Sequence, residues 1–235
     1  MVQRVFRSGM TRIKRRMADL NQAEASRGKD DVRRLSERLP GLSDYHAQAQ
    51  SVASTFRVYH MDYNERVGHP VHAASIELVV LLQLMFRELE PAKAVDLGSG
   101  FSSFVLRTLA QRSDRDVEIW SVDDSEEWMQ KTRDYLTEMD RSAENLMTWD
   151  AFLGEEPSGF DLVLHDMGSM EFREETLRRV LELAKPGGAI ILDDVHKPAY
   201  RAAAQKVLEE MGLEWFSLRD WTRDPLTRYC WLVFR

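Results

Sequence analysis

From about residue 72 onward, the sequence alternates between short apolar runs and longer segments with apolar residues three and four positions apart. The first pattern is typical of buried strands and the second of amphipathic helices. Seven runs are strand-like: AKAVDLG, VEIWSV, NLMTW, FDLVLHD, GAIILDD, LEWFSL and RYCWLVF. Strands that alternate with helices predict an α/β fold whose parallel sheet is covered by helices on both faces.

The end of the chain breaks this alternation. LEWFSL and RYCWLVF are separated by a loop with no helical pattern of its own. Two successive strands joined in this way predict an antiparallel hairpin at the edge of the sheet.

The first 71 residues have a helical pattern and no strand-like run. Five apolar residues form one stripe along the first predicted helix: Phe6, Met10, Ile13, Met17 and Leu20. Two further helices are expected on either side of Pro40-Gly41, the second over about 44–60. We expect residues 1–71 to be a helical extension that caps residues 72–235 or a second subunit of a homo-oligomer. The alternatives are a basic helix on a membrane surface and an arm that closes over a ligand.

Composition limits the class of protein and its partners. A single cysteine, Cys230, excludes an internal disulfide framework and predicts a cytoplasmic location. The longest apolar stretch, residues 76–86, is too short to span a bilayer, and no signal-peptide pattern follows the basic first residues. Residues 114–175 carry nineteen acids against five bases, so we expect no nucleic-acid partner on that surface.

The segment AVDLGSGFSSFV (94–105) places a strand, a glycine turn and a helix in succession. Ligands of open α/β sheets bind beyond the carboxyl ends of the strands, and Gly98 and Gly100 let the backbone pass close to such a ligand. Asp96 would repel a pyrophosphate, so it favours a ligand with a cationic end. Asp123 ends the next strand, where an acid accepts hydrogen bonds from ribose hydroxyls. The alternative is a glycine turn with unrelated surface acids.

Residues 92–235 resemble the class I S-adenosylmethionine-dependent methyltransferases, because VDLGSG is similar to their first motif and SVDD to their second. The resemblance implies a Rossmann-like sheet of seven strands, mostly parallel with one antiparallel strand, and S-adenosylmethionine as the cofactor. It also implies a set of cofactor-binding residues: Asp96, Gly98, Gly100, Ser102, Asp123 and Asp150. Of these, Asp150 is equally placed to cap a helix.

The segment ILDDVH contains two adjacent acids at the end of a strand-like run. FDLVLHD and GAIILDD are expected to be neighbouring strands about 5 Å apart, which brings Asp166, Asp193 and Asp194 together. A divalent cation such as Mg²⁺ would relieve the repulsion between the three carboxylates. The pattern resembles metal-dependent O-methyltransferases of the catechol, caffeoyl-CoA and macrocin types. The alternative is that the adjacent acids cap the next helix.

The resemblance implies methyl transfer to a hydroxyl group of a small molecule, assisted by the metal. Ser169 stands where the catechol type has a lysine, and Val195 where the macrocin type has a tyrosine. His196 is therefore the first candidate for the general base, with Asp166 as the second catalytic residue. The alternatives are a metal-independent methyltransferase acting on nitrogen or a carboxylate, and a binding protein without catalysis.

Overall fold

The computed structural model describes residues 30–235; the predicted stripe from Phe6 to Leu20 lies outside the described residues. Its centre is a seven-stranded sheet with the strand order β3-β2-β1-β4-β5-β7-β6. The strands are β1 (Lys93–Leu97), β2 (Glu118–Asp123), β3 (Leu146–Thr148), β4 (Phe160–His165), β5 (Ala184–Leu192), β6 (Glu214–Ser217) and β7 (Trp231–Phe234). β7 is antiparallel to both of its neighbours, and the other pairs are parallel. The predicted α/β sheet with one reversed strand is confirmed.

Helices cover both faces of this sheet. They are α1 (30–38), α2 (Tyr45–Arg66), α3 (Ile76–Leu89), α4 (Phe101–Gln111), α5 (Glu126–Glu138), α6 (Trp149–Gly154), α7 (Met170–Leu183), α8 (Pro198–Glu210) and α9 (Arg219–Thr222), with a short 3₁₀ helix at Pro40–Asp44. The sequence did not predict α6 and α9, because helices this short contain too few residues to establish a period. No helix in the described part of the chain is long and apolar enough to cross a membrane.

Serine caps determine where three of the helices begin. The Ser75 hydroxyl accepts a hydrogen bond from the Leu78 N–H, so α3 begins at Ile76. Ser125 and Ser169 cap α5 and α7 in the same way. Both of these helices follow directly after strand ends, so the caps place the first turns of α5 and α7 beside the carboxyl edge of the sheet.

The sheet separates two apolar cores. Leu162 and Leu164 of β4 are buried with residues of α3 and α4, whereas Val163 between them is buried with residues of α7 and α8. This alternation follows from the two-residue period of a strand. The first core also contains Leu35 and Phe56. The described part of the helical extension therefore packs into the core of the sheet, and the domain boundary at residue 71 stays a prediction.

Asp31 ties α1 to the sheet. Its carboxylate accepts a hydrogen bond of 2.8 Å from the backbone N–H of Ser217 in β6, and both residues are buried. Asp31→Ala would leave this N–H without its partner, so we expect it to lower the free energy of unfolding by about 1–3 kcal/mol.

Chemical denaturation would measure this loss against Glu37→Ala, which removes an exposed acid from the same helix and should change stability by less than about 0.5 kcal/mol. Equal stabilities of the two variants would contradict the docking of α1 on β6.

Candidate functional site

The glycine turn at residues 98–100 joins β1 to α4. Gly98 has a φ of +116°, and a Cβ on it would lie 2.6 Å from the backbone carbonyl of Asp166. Its N–H donates to the carbonyl of Val122 at the end of β2. Only glycine allows the ends of β1, β2 and β4 to come this close, so the turn creates the edge at which the functional side chains meet.

Asp96 lies fully buried beneath this turn. Its Oδ2 accepts hydrogen bonds from the hydroxyls of Ser102 (2.8 Å) and Ser103 (2.6 Å). Its Oδ1 is also buried and has no hydrogen-bond partner among the described residues. Burial raises the pKa of Asp96 to about 7, although the two hydroxyls act in the opposite direction. The free oxygen suits a positively charged donor, because a charge-assisted hydrogen bond would offset the cost of burying it.

Asp123 ends β2 next to the turn. Its carboxylate accepts hydrogen bonds of 3.0 Å from the Ser99 hydroxyl and from the Ser125 backbone N–H. Burial raises its pKa to about 6, opposed by these hydrogen bonds. The side chain is 5% exposed and lines a cavity. An oriented acceptor in this place fits hydroxyl groups such as those of a ribose.

A cavity of about 550 Å³ lies beyond the carboxyl ends of β1, β2, β4 and β5, and we call it the strand-end cavity. Its wall includes five carboxylates: Asp123, Asp124, Asp166, Asp193 and Asp194. Another cavity, of about 670 Å³, lies at the opposite edge near residues 115–119 and 140–145. We assign the site to the smaller cavity, because ligands of open α/β sheets bind at the carboxyl ends of the strands.

Asp150 lies apart from the other predicted cofactor residues. It is exposed in the first turn of α6 and is not part of the cavity wall. The helix is capped by Thr148, whose hydroxyl accepts the Ala151 N–H at 3.4 Å. A contact between Asp150 and the cofactor therefore stays a prediction, and Thr148 takes the capping role that was the alternative for Asp150.

The three carboxylates at the ends of β4 and β5 meet as the strand order predicts. Arg173 of α7 lies between two of them: its Nη2 is 2.6 Å from Oδ1 of Asp166, and its Nη1 is 3.4 Å from Oδ2 of Asp194. Nη2 also donates to the backbone carbonyl of Asp166. Because Arg173 is 6% exposed, the guanidinium and its partners form a largely dehydrated ion pair.

Arg173 was not among the site residues predicted from the sequence. Its position four residues before Leu177 places it on the buried stripe of α7, which also contains Val180 and Leu181. An arginine on the apolar stripe of a helix must have a buried partner. The position of Arg173 on the apolar stripe was the sequence signal for a buried ion pair. The predicted cluster of Asp166, Asp193 and Asp194 contained its partners.

Asp193 and Asp194 differ sharply in their surroundings. Asp194 has Lys197 Nζ at 2.6 Å in addition to Arg173. Burial would raise the pKa of Asp194, but these two cations outweigh burial and lower it. Asp193 has no cation within 4.0 Å among residues 30–235, and burial together with the charges of Asp166 and Asp194 raises its pKa to about 8. The adjacent acids are tolerated because one is ion-paired and the other holds its proton.

The cluster does not fit the divalent cation that the sequence analysis expected. The guanidinium of Arg173 already supplies the compensating charge between Asp166 and Asp194, and a second cation would have to displace it. Within residues 30–235, no group of three or more His, Cys, Asp or Glu side chains has an arrangement that could hold a metal ion.

His196 lies outside the wall of the strand-end cavity. Asp194 has a φ of +61°, and the Lys197 N–H donates back to its carbonyl, so the chain turns at this point. Val195 is then buried in the core, and Nδ1 of His196 lies 3.4 Å from Oδ1 of Asp194. The histidine thus lies beside Asp194 but outside the cavity wall, and its role as general base stays a prediction.

Comparisons with known proteins identify the fold. No family model matches the sequence, and no curated protein is similar enough to count as a match. An O-methyltransferase from Bacillus cereus, in complex with SAH, has a similar structure with a TM-score of 0.56 and 14% identity over 80% of this chain and 90% of that one. The O-methyltransferase TomG from Streptomyces achromogenes, in complex with SAM, has a TM-score of 0.54 and 18% identity over 90% of this chain and 97% of that one. A third structure, the SAH-bound methyltransferase PaMTH1 from Podospora anserina, has a TM-score of 0.56 and 14% identity over 75% and 86%. The chain therefore has the class I methyltransferase fold.

The raised pKa of Asp193 predicts a pH-dependent stability. The folded pKa of about 8 exceeds the ordinary aspartate value of 3.8, so between these values the folded protein holds a proton that the unfolded chain releases. This contribution to stability therefore falls as the pH rises from about 4 to about 8. Asp193→Asn cannot titrate, so its stability relative to the wild type should increase across the same window.

Urea denaturation at pH values across this window would measure the difference between the two proteins, with Asp114→Asn at an exposed position as the matched control. A constant difference between Asp193→Asn and the wild type would contradict the protonated state of Asp193.

Proposed function

We propose that this protein transfers a methyl group from S-adenosylmethionine to a hydroxyl oxygen of a small molecule. The observation that carries the proposal is the position of Asp96 and Asp123 around a glycine turn in the class I methyltransferase fold. The Bacillus cereus and Streptomyces achromogenes proteins that share the fold are O-methyltransferases. The acidic wall of the strand-end cavity disfavours a polynucleotide acceptor and favours a small molecule.

The residues around the turn fit the two polar ends of the cofactor. The free Oδ1 of Asp96 would accept a hydrogen bond from the α-ammonium group, and the Asp123 carboxylate would accept hydrogen bonds from the ribose hydroxyls. When bound, S-adenosylmethionine supplies an electrophilic methyl group on a positively charged sulfur.

Asp193 is our candidate for the proton acceptor. It lines the strand-end cavity without an ion-pair partner among the described residues, whereas Asp166 is held by Arg173 and His196 lies outside the wall. Its pKa of about 8 is close to neutral pH, which suits a general base. In its deprotonated form, which becomes more populated as the pH approaches 8, its carboxylate would take the proton from the acceptor hydroxyl while the methyl group passes from the sulfur to the oxygen.

In this proposal, Arg173 supplies the positive charge that was expected from a metal. It lies between Asp166 and Asp194 and favours their charged forms, although burial still raises the pKa of Asp166, and Asp193 is left as the carboxylate of this cluster with no cation beside it among residues 30–235. We therefore propose that the reaction needs no divalent cation, and the following experiments include the metal-dependent outcome.

The role of Asp123 can be tested by binding. Asp123→Ala should weaken the affinity for S-adenosylmethionine by about 1–3 kcal/mol, because the ribose hydroxyls would lose their acceptor. Calorimetry on this variant and on Asp124→Ala, at the neighbouring acid in the wall, would separate the two positions. An unchanged affinity of Asp123→Ala would remove Asp123 from the cofactor site.

The role of Arg173 can be tested by transfer of labelled methyl groups. We expect the wild type to keep full activity in excess chelator. We expect Arg173→Met to lose activity and about 3–5 kcal/mol of stability, because the variant would leave buried carboxylates without a compensating charge. Arg178→Met on the same helix is the matched control, because it removes an exposed arginine that pairs with Glu210.

Activity that disappears in chelator and returns with Mg²⁺ would contradict the metal-independent reaction. Binding of the cofactor without transfer to any hydroxyl, amine or carboxylate acceptor would favour a binding protein over an enzyme.

A further inference from the structure

Tyr63 is a buried residue of α2, in the helical extension outside the strand–helix alternation. Its ring is fully buried and packs against Phe101 and Tyr135, with centroid distances of 5.5 and 5.0 Å. Its hydroxyl is also buried but has no hydrogen-bond partner among residues 30–235. A buried hydroxyl without a partner is costly, so a tyrosine in this position in place of phenylalanine requires an explanation.

The hydroxyl of Tyr63 lies at the glycine turn. A Cβ on Gly100 would be only 3.0 Å from it, so this glycine leaves the space in which the hydroxyl ends. Burial and the charges of Asp96 and Asp123 all raise the pKa of Tyr63. The hydroxyl therefore stays protonated and lies within the field of both carboxylates that we assign to the cofactor.

A second polar side chain near Gly100, that of Trp128, already has a hydrogen-bond partner. Nε1 of Trp128 would lie 3.7 Å from the same Cβ, but it donates a hydrogen bond of 2.6 Å to the carbonyl of Ser99. Among residues 30–235, two buried oxygens near the turn thus remain without a donor, Oη of Tyr63 and Oδ1 of Asp96. A single group that carries a positive charge and several N–H donors could satisfy both, and a primary ammonium group has these properties.

We propose that Tyr63 Oη and Asp96 Oδ1 together bind the α-ammonium group of the methionine part of the cofactor. This inference rests on the proposed function, and it goes further by making the helical extension part of the cofactor site. Tyr63 is a positioning residue in this arrangement, since it contacts the end of the cofactor remote from the transferred methyl group. Removal of α2 would then weaken cofactor binding as well as the apolar core.

The test compares two ligands on wild type and Tyr63→Phe by calorimetry. S-adenosylhomocysteine carries the amino-acid part, whereas 5′-methylthioadenosine keeps the nucleoside and lacks the ammonium group. We expect Tyr63→Phe to bind S-adenosylhomocysteine about tenfold more weakly, the usual value of a hydrogen bond to a charged group. Its affinity for 5′-methylthioadenosine should equal that of the wild type.

Tyr135→Phe is the matched control, because it removes a hydroxyl from the packed neighbour of Tyr63, one that donates to the carbonyl of Tyr59. It should bind both ligands as the wild type does. Melting temperatures of all three proteins would check that the folds are equivalent. A combined Tyr63→Phe and Asp96→Asn variant should lose less affinity for S-adenosylhomocysteine than the sum of the two single losses, because both act on one group.

Three outcomes would overturn the inference. If Tyr63→Phe binds S-adenosylhomocysteine with unchanged affinity, the inference is wrong but the proposed cofactor is not affected. An equal loss of affinity for both ligands would assign Tyr63 a purely structural role. Failure of the wild type to bind either ligand would overturn the proposed function together with the inference.

Discussion

The buried ion pair between Arg173 and Asp166 is the interaction on which the candidate site depends. The parallel strands β4 and β5 end side by side, so the carboxylates that follow them are forced close together in a poorly hydrated place. A guanidinium fork between Asp166 and Asp194 opposes this repulsion, whereas burial and the neighbouring acids raise the pKa of Asp193 to about 8. The same ion pair anchors the first turns of α7 to the end of β4, so the electrostatics of the cluster and the position of this helix depend on one side chain.

The glycine turn and the helical extension act on the opposite side of the strand-end cavity. Gly98 brings the ends of three strands together, and Gly100 leaves room for the hydroxyl of Tyr63 from α2. Because α2 belongs to the same apolar core as α3 and α4, the hydroxyl is held in place by packing rather than by a hydrogen bond of its own. The extension therefore buries apolar surface and also contributes a polar atom, the hydroxyl oxygen of Tyr63, to the edge of the proposed cofactor site.

The sequence predicted the sheet, the terminal hairpin and the meeting of the three acids, because each follows from periodicity and from the order of parallel strands. It could not predict the turn at Asp194 that leaves His196 outside the cavity wall, since a positive φ at an aspartate has no sequence signature. It also predicted a metal and did not identify Arg173, because an arginine on an amphipathic helix is normally a surface charge. The apolar stripe through Leu177 contained the correct information, but only the folded chain places Arg173 between Asp166 and Asp194.

The most direct test of this account is a crystal structure of the protein grown with S-adenosylhomocysteine and Mn²⁺, with anomalous scattering used to locate the metal. The account predicts the ribose at Asp123, the α-ammonium group at Asp96, and Arg173 between Asp166 and Asp194 without an anomalous peak. A manganese peak coordinated by Asp166, Asp193 and Asp194, with the guanidinium displaced, would contradict the central claim that Arg173 supplies the charge of this site.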